Sequence, residues 1–414
     1  MNKNIHRQLL LFFLFIAILL VAANLRAAIT AVGPLVQMIV RDARLSNPAA
    51  GLLTSLPLLA FALISPIVPG IAKKIGIERA LLLSMLLLTA GILLRSLIPN
   101  TTALFVGTII LGAAIAAGNV LLPGLVKNKF TARVGMVTGL YTVSMALWAG
   151  LSSGISASLV EHTGLGWRGS LAFWSLLSLL AALCLIPVAG SGRNSIEKSP
   201  GEASRQAFGV RPVNLWQSPL AWESACFMGI QSVLFYVLAA WFPAMLTEQG
   251  LTMVEGGWLF LLLQIVSLPA SFIAPILASR SNDQVKISML TAAIYAVGFF
   301  GLLSERWTLL WVICLGIGGG AAISLALSFF TLRTRNGQQA AELSGMSQAV
   351  GYLLAAAGPV VFGAIHDLFH SWSVPNLILG ILSLILIYFG YKIGQNRYIS
   401  DSAESIRHSS KKSR

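Results

Sequence analysis

The sequence contains twelve apolar stretches, and about 20 apolar residues are enough to cross a bilayer as a helix. They lie at 9–40, 49–72, 80–98, 102–126, 134–160, 167–188, 219–246, 254–279, 287–303, 307–332, 343–365 and 374–393. Only 10% of the residues are charged, whereas a soluble domain has about 25%. The pattern therefore predicts an all-α membrane protein with twelve transmembrane helices, and it excludes a soluble enzyme.

The basic residues, 28 against 14 acidic ones, lie between the apolar stretches and indicate membrane topology rather than nucleic-acid binding. With both termini placed in the cytoplasm, 22 lysines and arginines fall on the cytoplasmic side and 5 fall outside. The outer five are Arg41, Arg44, Arg95, Arg168 and Arg306, and Arg26 lies within the first stretch. Because basic residues concentrate in cytoplasmic loops, this asymmetry predicts a multi-pass plasma-membrane protein with cytoplasmic N and C termini.

A polar, turn-rich segment at 189–218 divides the chain, and it is typical of a flexible cytoplasmic linker. This predicts a six-helix bundle at 1–188, a second at 219–394 and a basic cytoplasmic tail at 395–414. Val137–Leu140 and Leu343–Met346 are similar and begin equivalent stretches 206 residues apart. Two six-helix halves with such an echo are typical of a duplicated transporter fold.

Several kinds of chemistry lack their sequence signatures. There is no phosphate-binding loop for ATP, so transport would have to be driven by a gradient. The run Gly316–Gly320 follows no strand, which favours close helix packing or a flexible gate. His366 and His370 stand four residues apart with Asp367 between them, a spacing compatible with a metal but also with ordinary residues at the membrane surface. No cofactor or metal is predicted.

Arg26 is the most informative single residue, because it lies close to the middle of the first stretch. An arginine at the bilayer centre costs roughly 2.5–3.5 kcal/mol on insertion scales, so it is expected to face the protein interior. An ion pair with an acid on a neighbouring helix is one explanation. The acidic residues fall in loops or at the ends of stretches, which favours the other explanation, contact with the substrate.

Other polar residues are expected at a similar depth. Each one taken alone is typical of a helix–helix hydrogen bond, worth about 0.6 kcal/mol. As a set they predict a polar cavity whose fixed charge is the positive charge of Arg26, and such a cavity favours a small anion or a polar neutral solute. The predicted substrate-binding residues beside Arg26 are Asn24, Asn119, Tyr141, Gln231, Tyr236, Gln264, Gln348 and Tyr352.

Several short stretches are familiar from a known family: Asn24–Ala27, Val32–Leu35, Gly118–Pro123, Thr138–Thr142, Gly166–Gly169, Met228–Ser232 with Phe235, Tyr236 and Trp241, Leu343–Met346, Gly351–Leu354 and His366–Asp367. Through them the chain resembles the major facilitator superfamily, and within it the branch of cyanate permeases and 2-nitroimidazole exporters. One departure concerns the superfamily's loop between the second and third spans, where Lys73 stands in place of an aspartate. The charge-relay role of that aspartate therefore does not carry over. The arginine pair that nitrate porters use in the second and eighth spans is also missing.

The resemblance implies a monomeric secondary transporter of a bacterial plasma membrane, which moves a small cyanate-like anion or polar solute by alternating access. Its site would lie between the halves near the midplane, with a small molecule and the lipid bilayer as partners, and without nucleic acid or enzyme activity. One alternative is an exporter of small neutral toxic compounds such as nitroimidazoles, with Arg26 structural. A second alternative is a membrane-embedded enzyme with a metal at His366 and His370.

Overall fold

The computed structural model describes residues 2–45, 47–191, 214–251, 253–304 and 306–399. These residues form fifteen α-helices, and none of them lies in a strand. The first nine helices are α1 Asn2–Thr30, α2 Val36–Asp42, α3 Asn47–Ile64, α4 Val68–Ile75, α5 Ile77–Leu97, α6 Thr101–Lys129, α7 Val134–Thr163, α8 Gly166–Phe173 and α9 Ser175–Ser191. The other six are α10 Pro219–Thr247, α11 Met253–Arg280, α12 Val285–Gly301, α13 Thr308–Leu332, α14 Gly337–Phe369 and α15 Ser373–Gly394.

The helices account for all twelve predicted spans. Within the described ranges, ten helical segments are long and apolar enough to cross a membrane. A bent pair, Ser55–Ile64 with Val68–Ile75, supplies an eleventh span, and the shorter apolar helix Val285–Gly301 corresponds to the twelfth. The prediction of an all-α, twelve-span membrane fold is confirmed.

Two of the spans contain a break in the helix. The first stretch is helical to Thr30, forms a 3₁₀ turn at Gly33–Leu35 and continues as α2. The second span bends by 57° between α3 and α4, at a break that contains Pro66. Both breaks contain a proline, whose ring clashes with the preceding turn and which has no N–H to donate.

The described residues fall into two compact units. The first comprises the described parts of Met1–Leu125 and Ser144–Pro212, and the second comprises those of Val126–Val143 and Val213–Arg414. In the first unit α9 packs against α1 and α5. In the second unit α10 packs against α14, α11 against α13, and α12 against both α13 and α15.

The glycine run in α13 serves close helix packing, one of the two uses that its sequence favours. A Cβ atom on Gly316 would lie 2.7 Å from the carbonyl oxygen of Leu263 in α11, and one on Gly320 would lie 2.3 Å from that of Ser267. On the opposite side a Cβ on Gly318 would lie 2.8 Å from the Cα of Tyr295 in α12. Glycine is therefore required where α13 passes between α11 and α12.

Candidate functional site

Arg26 lies in α1, four residues past the middle of the membrane-crossing segment Leu9–Leu35. At a rise of 1.5 Å per residue this places its Cα about 6 Å from the centre of the span. Its side chain is half-buried. Arg26 therefore lies near the middle of this segment, although the helix itself ends at Thr30 rather than at Val40.

Asn24 joins α1 to α9. Its side-chain amide donates to the carbonyl oxygen of Leu20 at 2.8 Å and to that of Leu177 in α9 at 3.1 Å. The residue is 1% exposed. Both amide hydrogens are thus used within the bundle, and only the side-chain oxygen Oδ1, which can accept but not donate, remains for another partner.

A glycine contact brings Asn119 to the level of Arg26. Gly118 of α6 lies against Leu25 of α1, since a Cβ atom on Gly118 would be 2.5 Å from Leu25 Cδ2. Asn119, the next residue of α6, is buried. This contact therefore places Asn24, Arg26 and Asn119 in one layer of the first unit.

Hydroxyl groups join α1 to α7 on either side of Arg26. Ser144 Oγ donates to the carbonyl oxygen of Leu19 at 2.9 Å, and Thr30 Oγ1 lies 2.6 Å from Ser152 Oγ. Thr30 Oγ1 also lies 3.0 Å from the carbonyl oxygen of Arg26, to which it donates. Contacts with α6, α7 and α9 therefore hold the segment of α1 that carries Arg26.

Arg95 is a second buried arginine of the first unit, and its expected position in an outer loop is wrong. It lies in the last turn of α5, is 2% exposed, and donates from Nη2 to the carbonyl oxygen of Ala28 at 2.8 Å. Ala28 is two residues beyond Arg26, or about 200° around α1, so Arg95 approaches the face opposite Arg26. Its position inside the predicted stretch 80–98 is the sequence signal that identifies it as a helix residue.

Three predicted site residues lie in the pair formed by α10 and α14. Gln231 donates from Nε2 to the carbonyl oxygen of Met228 at 3.1 Å and to Ser232 Oγ at 2.8 Å. Gln348 donates to Ser344 Oγ at 2.7 Å. Together with Tyr352 these residues are buried. The helices approach closely, because a Cβ on Gly351 would lie 3.4 Å from the Cα of Gly229.

The remaining predicted residues of the second unit differ in their accessibility. Tyr236 of α10 and Gln264 of α11 are half-buried. Tyr141 is fully enclosed in the part of α7 that belongs to this unit. Its hydroxyl group lies beside that of Thr138 without a well-formed hydrogen bond. Nearby, Gly139 abuts Phe272 of α11.

An open cavity of about 540 Å³ runs along the second half of α7 in the first unit. It is lined by Gly150, Leu151, Gly154, Ile155, Ser158 and His162, together with two neighbours on the same helix. A Cβ atom on Gly150 or Gly154 would meet nothing within 4 Å. None of the predicted site residues lines this cavity, so it is separate from the Arg26 layer.

A buried arginine lies at the end of the second unit where α13 stops. Arg333 is 1% exposed and donates from Nε to the carbonyl oxygen of Ile393 at 2.7 Å and from Nη2 to that of Gly394 at 3.0 Å. Gln284 accepts a further hydrogen bond through Oε1. Burial lowers the pKa of Arg333 to about 10, which still leaves its side chain charged at neutral pH.

The chain belongs to the major facilitator superfamily, whose family model matches residues 14–356. It is 42% identical over 404 residues to the uncharacterized transporter YycB of Bacillus subtilis (strain 168), with 97% of each chain covered. It is 40% identical over 387 residues to the 2-nitroimidazole transporter of Escherichia coli (strain K12), covering 93% of this chain and 96% of that one. The cyanate transport protein CynX of the same organism is 26% identical over 377 residues, covering 88% and 95%.

A solved structure of the proton:xylose symporter XylE has the same fold, with a TM-score of 0.72 at 12% identity and coverage of 96% of this chain and 98% of that one. The predicted superfamily and branch are confirmed. The protein is a multi-pass membrane transporter and not an enzyme. Within the described residues, no three His, Cys, Asp or Glu side chains form a group that could hold a metal ion.

Proposed function

We propose that this transporter moves a small anion, such as cyanate or a compact carboxylate, across the bacterial plasma membrane by gradient-driven alternating access. The observation that carries the proposal is the position of Arg26, a half-buried cation about 6 Å from the centre of its span. A cation at this depth is costly, and in transporters such residues mark the substrate path. In this proposal both termini are cytoplasmic.

An arginine suits a small anion better than a lysine does. Its planar guanidinium group offers two parallel donors to a carboxylate, and it stays charged in a site of low polarity. Contacts with α6, α7 and α9 fix the helix segment beneath it, which lowers the ordering cost on binding. One relative in the same branch is a cyanate transport protein, which supports a small anion as the substrate.

The accessibility of the predicted polar residues ranks their proposed roles. Tyr236 and Gln264 are half-buried, so they are the proposed hydrogen-bonding partners that a solute reaches without repacking. Asn24 and Gln231 use their amide donors within the bundle. What they keep is an acceptor oxygen, which suits an N–H group of a solute and not an anion. Asn119, Tyr141, Gln348 and Tyr352 are enclosed and are proposed to support the site from behind.

Export of a small neutral nitroaromatic compound is the second candidate function. The 40% identity to a 2-nitroimidazole transporter over almost the whole chain favours it. In this alternative Arg26 has a structural role, and the acceptor oxygens of Asn24 and Gln231 suit the N–H group of an imidazole ring. The two functions therefore differ in what they require of Arg26.

Counterflow in proteoliposomes tests the proposal, because the solute gradient drives the exchange and no ion gradient is needed. The solutes are cyanate, nitrite, nitrate, acetate, benzoate and 2-nitroimidazole, assayed with wild type and with Arg26→Ala. Arg41→Ala, which removes an exposed charge from α2, is the matched control. We expect exchange of at least one anion that Arg26→Ala abolishes and Arg41→Ala retains. Exchange of 2-nitroimidazole alone, at equal rates in wild type and Arg26→Ala, would support the second function instead.

A further inference from the structure

An acidic residue after the first span of the first unit holds the beginning of its sixth span. Asp42, the last residue of α2, accepts through Oδ2 a hydrogen bond from Trp167 Nε1 at 3.1 Å. The same oxygen lies 3.4 Å from Arg168 Nη2, and the Arg168 guanidinium lies 4.2 Å from the centre of the Trp167 ring. The contact therefore consists of an acid, a tryptophan and a permanent cation.

The second unit repeats this arrangement. Glu248 follows α10 directly, and its Oε2 accepts a hydrogen bond from the backbone N–H of Trp372 at 2.7 Å, just before α15 begins. Glu248 stands 206 residues after Asp42, and Trp372 stands 205 residues after Trp167. This spacing equals, within one residue, the 206 residues that separate Gly139 and Gly345 in the two similar segments of the sequence.

The two contacts differ in their cation. In the second unit it is His366 of α14, whose Nε2 lies 3.7 Å from Glu248 Oε1 and whose Nδ1 lies 3.2 Å from Asp367 Oδ1. The imidazole ring stacks on Trp372 with a centroid distance of 4.4 Å and an angle of 24°. We call the four residues His366, Glu248, Asp367 and Trp372 the histidine clasp.

Protonation changes what this imidazole ring can bind. A neutral ring has one N–H donor, whereas an imidazolium has two, and both ring nitrogens of His366 face a carboxylate. The charged groups that face the ring are Glu248 at the end of α10 and Asp367 on its own helix. The adjoining start of α15 supplies Trp372 and serines, and His370, the exposed C-cap of α14, donates its backbone N–H to the carbonyl oxygen of His366 at 2.6 Å.

We propose that the histidine clasp is a pH-sensitive switch, which fastens the end of α10 to the end of α14 when His366 is protonated and thereby slows turnover. Histidine is the side chain that ordinarily changes charge between about pH 5 and 8, whereas Arg168 keeps its charge throughout that range. The contact of Asp42 with Trp167 and Arg168 in the first unit is therefore permanent, and the histidine clasp of the second unit responds to acid. This regulation rests on the proposed transport and on the proposed topology, which places both contacts outside the cell.

The experiment compares wild type with His366→Gln, which removes the charge, and with His366→Arg, which copies the permanent cation of the first unit. His162→Gln is the matched control, because His162 is an exposed histidine in the last turn of α7. One measurement is counterflow in proteoliposomes at external pH 5 to 8 with internal pH fixed. The other is the tryptophan fluorescence of detergent-solubilised protein over the same pH range, which needs no substrate. It reports the protonation of His366, because an imidazolium stacked on Trp372 quenches the emission of that tryptophan.

For wild type and His162→Gln we expect counterflow to slow by about threefold to fivefold on acidification, the size expected for a partly exposed ion pair. His366→Gln stays fast and His366→Arg stays slow at every pH. The acid quenching of emission is present in wild type and absent in His366→Gln and in Trp372→Phe. If counterflow by His366→Gln slows on acidification as much as counterflow by wild type does, the switch is overturned even if transport itself is as proposed. If no solute is exchanged, the proposed substrates are wrong, and the fluorescence measurement still tests the histidine clasp. In that case, acid quenching that is the same in His366→Gln as in wild type would overturn the clasp.

Discussion

Arg397 donates a hydrogen bond from Nη2 to Glu223 Oε2 at 2.6 Å, and the two residues are 174 positions apart in the sequence. Arg397 lies three residues beyond the end of α15, and Glu223 lies at the start of α10. The same Nη2 also donates to the carbonyl oxygen of Lys392 at 2.6 Å. The structure thus gives Glu223 an arginine partner that links α10 to the segment after α15.

The first prediction concerns this ion pair. Glu223→Gln is expected to lower the melting temperature in detergent modestly, because a partly exposed pair contributes about 1 kcal/mol or less. Arg397→Gln should give a similar decrease, and the double variant should add little, since each single change already removes the interaction. Gradient-driven uptake is expected to persist. A Glu223→Gln protein that exchanges solute but no longer accumulates it would instead show that Glu223 carries a proton whose movement is coupled to transport.

The second prediction concerns Arg26. Arg26→Ala is expected to lose anion transport while its yield in the membrane stays unchanged, because removing a charge near the midplane lowers the cost of insertion. Arg26→Lys should retain part of the activity, since an ammonium group keeps the charge but not the two-donor fork. Uptake and detergent melting are measured on the same preparations. If Arg26 is structural, Arg26→Ala instead lowers both yield and melting temperature, because the group that pairs with Arg26 is left buried without the charge of the arginine.

The third prediction concerns the glycine run of α13. Gly320→Ala places a Cβ atom 2.3 Å from a backbone oxygen of α11, so a helix has to move. Overpacking of this kind destabilises by about 1–3 kcal/mol. The control is Gly319→Ala, whose Cβ would lie 3.2 Å from the hydroxyl oxygen of the Tyr295 side chain and meets no backbone atom at a shorter distance. We expect a clear decrease in melting temperature for Gly320→Ala only. Equal melting of the two variants would contradict the close approach of α11 and α13.

The fourth prediction concerns orientation. Because 22 of the 28 basic residues lie on the side assigned to the cytoplasm, alkaline phosphatase fused after Ser204 is expected to be inactive. The same enzyme fused within 246–255 is expected to be active. Immunoblots of both fusions control for expression. The reverse pattern of activity would invert the topology and place the histidine clasp in the cytoplasm.

The sequence predicts the number and placement of the spans because hydropathy is a sum over many residues, and small local errors average out. Breaks within a span are harder to predict. Pro34 interrupts the first stretch, whereas Pro57, Pro123 and Pro187 lie inside continuous helices. A proline therefore marks a position where a helix can break, and the packing of neighbouring helices decides whether it does.

The sequence also predicts which polar residues are deep, but not what their atoms bind. Asn24 and Gln231 are buried, yet their amide donors are used by carbonyl oxygens and a neighbouring serine. Such pairings depend on how two helices are rotated about their axes, and hydropathy does not report rotation. The assignment of Arg95 to a loop is wrong for a related reason. A charged residue near the end of an apolar stretch is expected in a loop, but the rotation of α5 points the side chain of Arg95 into the protein.

The burial of Arg333 has a consequence for biosynthesis. Its acceptors Ile393 and Gly394 belong to the end of α15, and its own carbonyl oxygen accepts from the backbone N–H of Ile399 at 3.0 Å. A ribosome has to translate nearly the whole chain before these partners exist. A product that terminates before α15 would retain a cation with Gln284 but without the two carbonyl oxygens of α15, which is strongly destabilising. Such a fragment would remain partly unfolded and would be a substrate for proteolytic quality control rather than a half-working transporter.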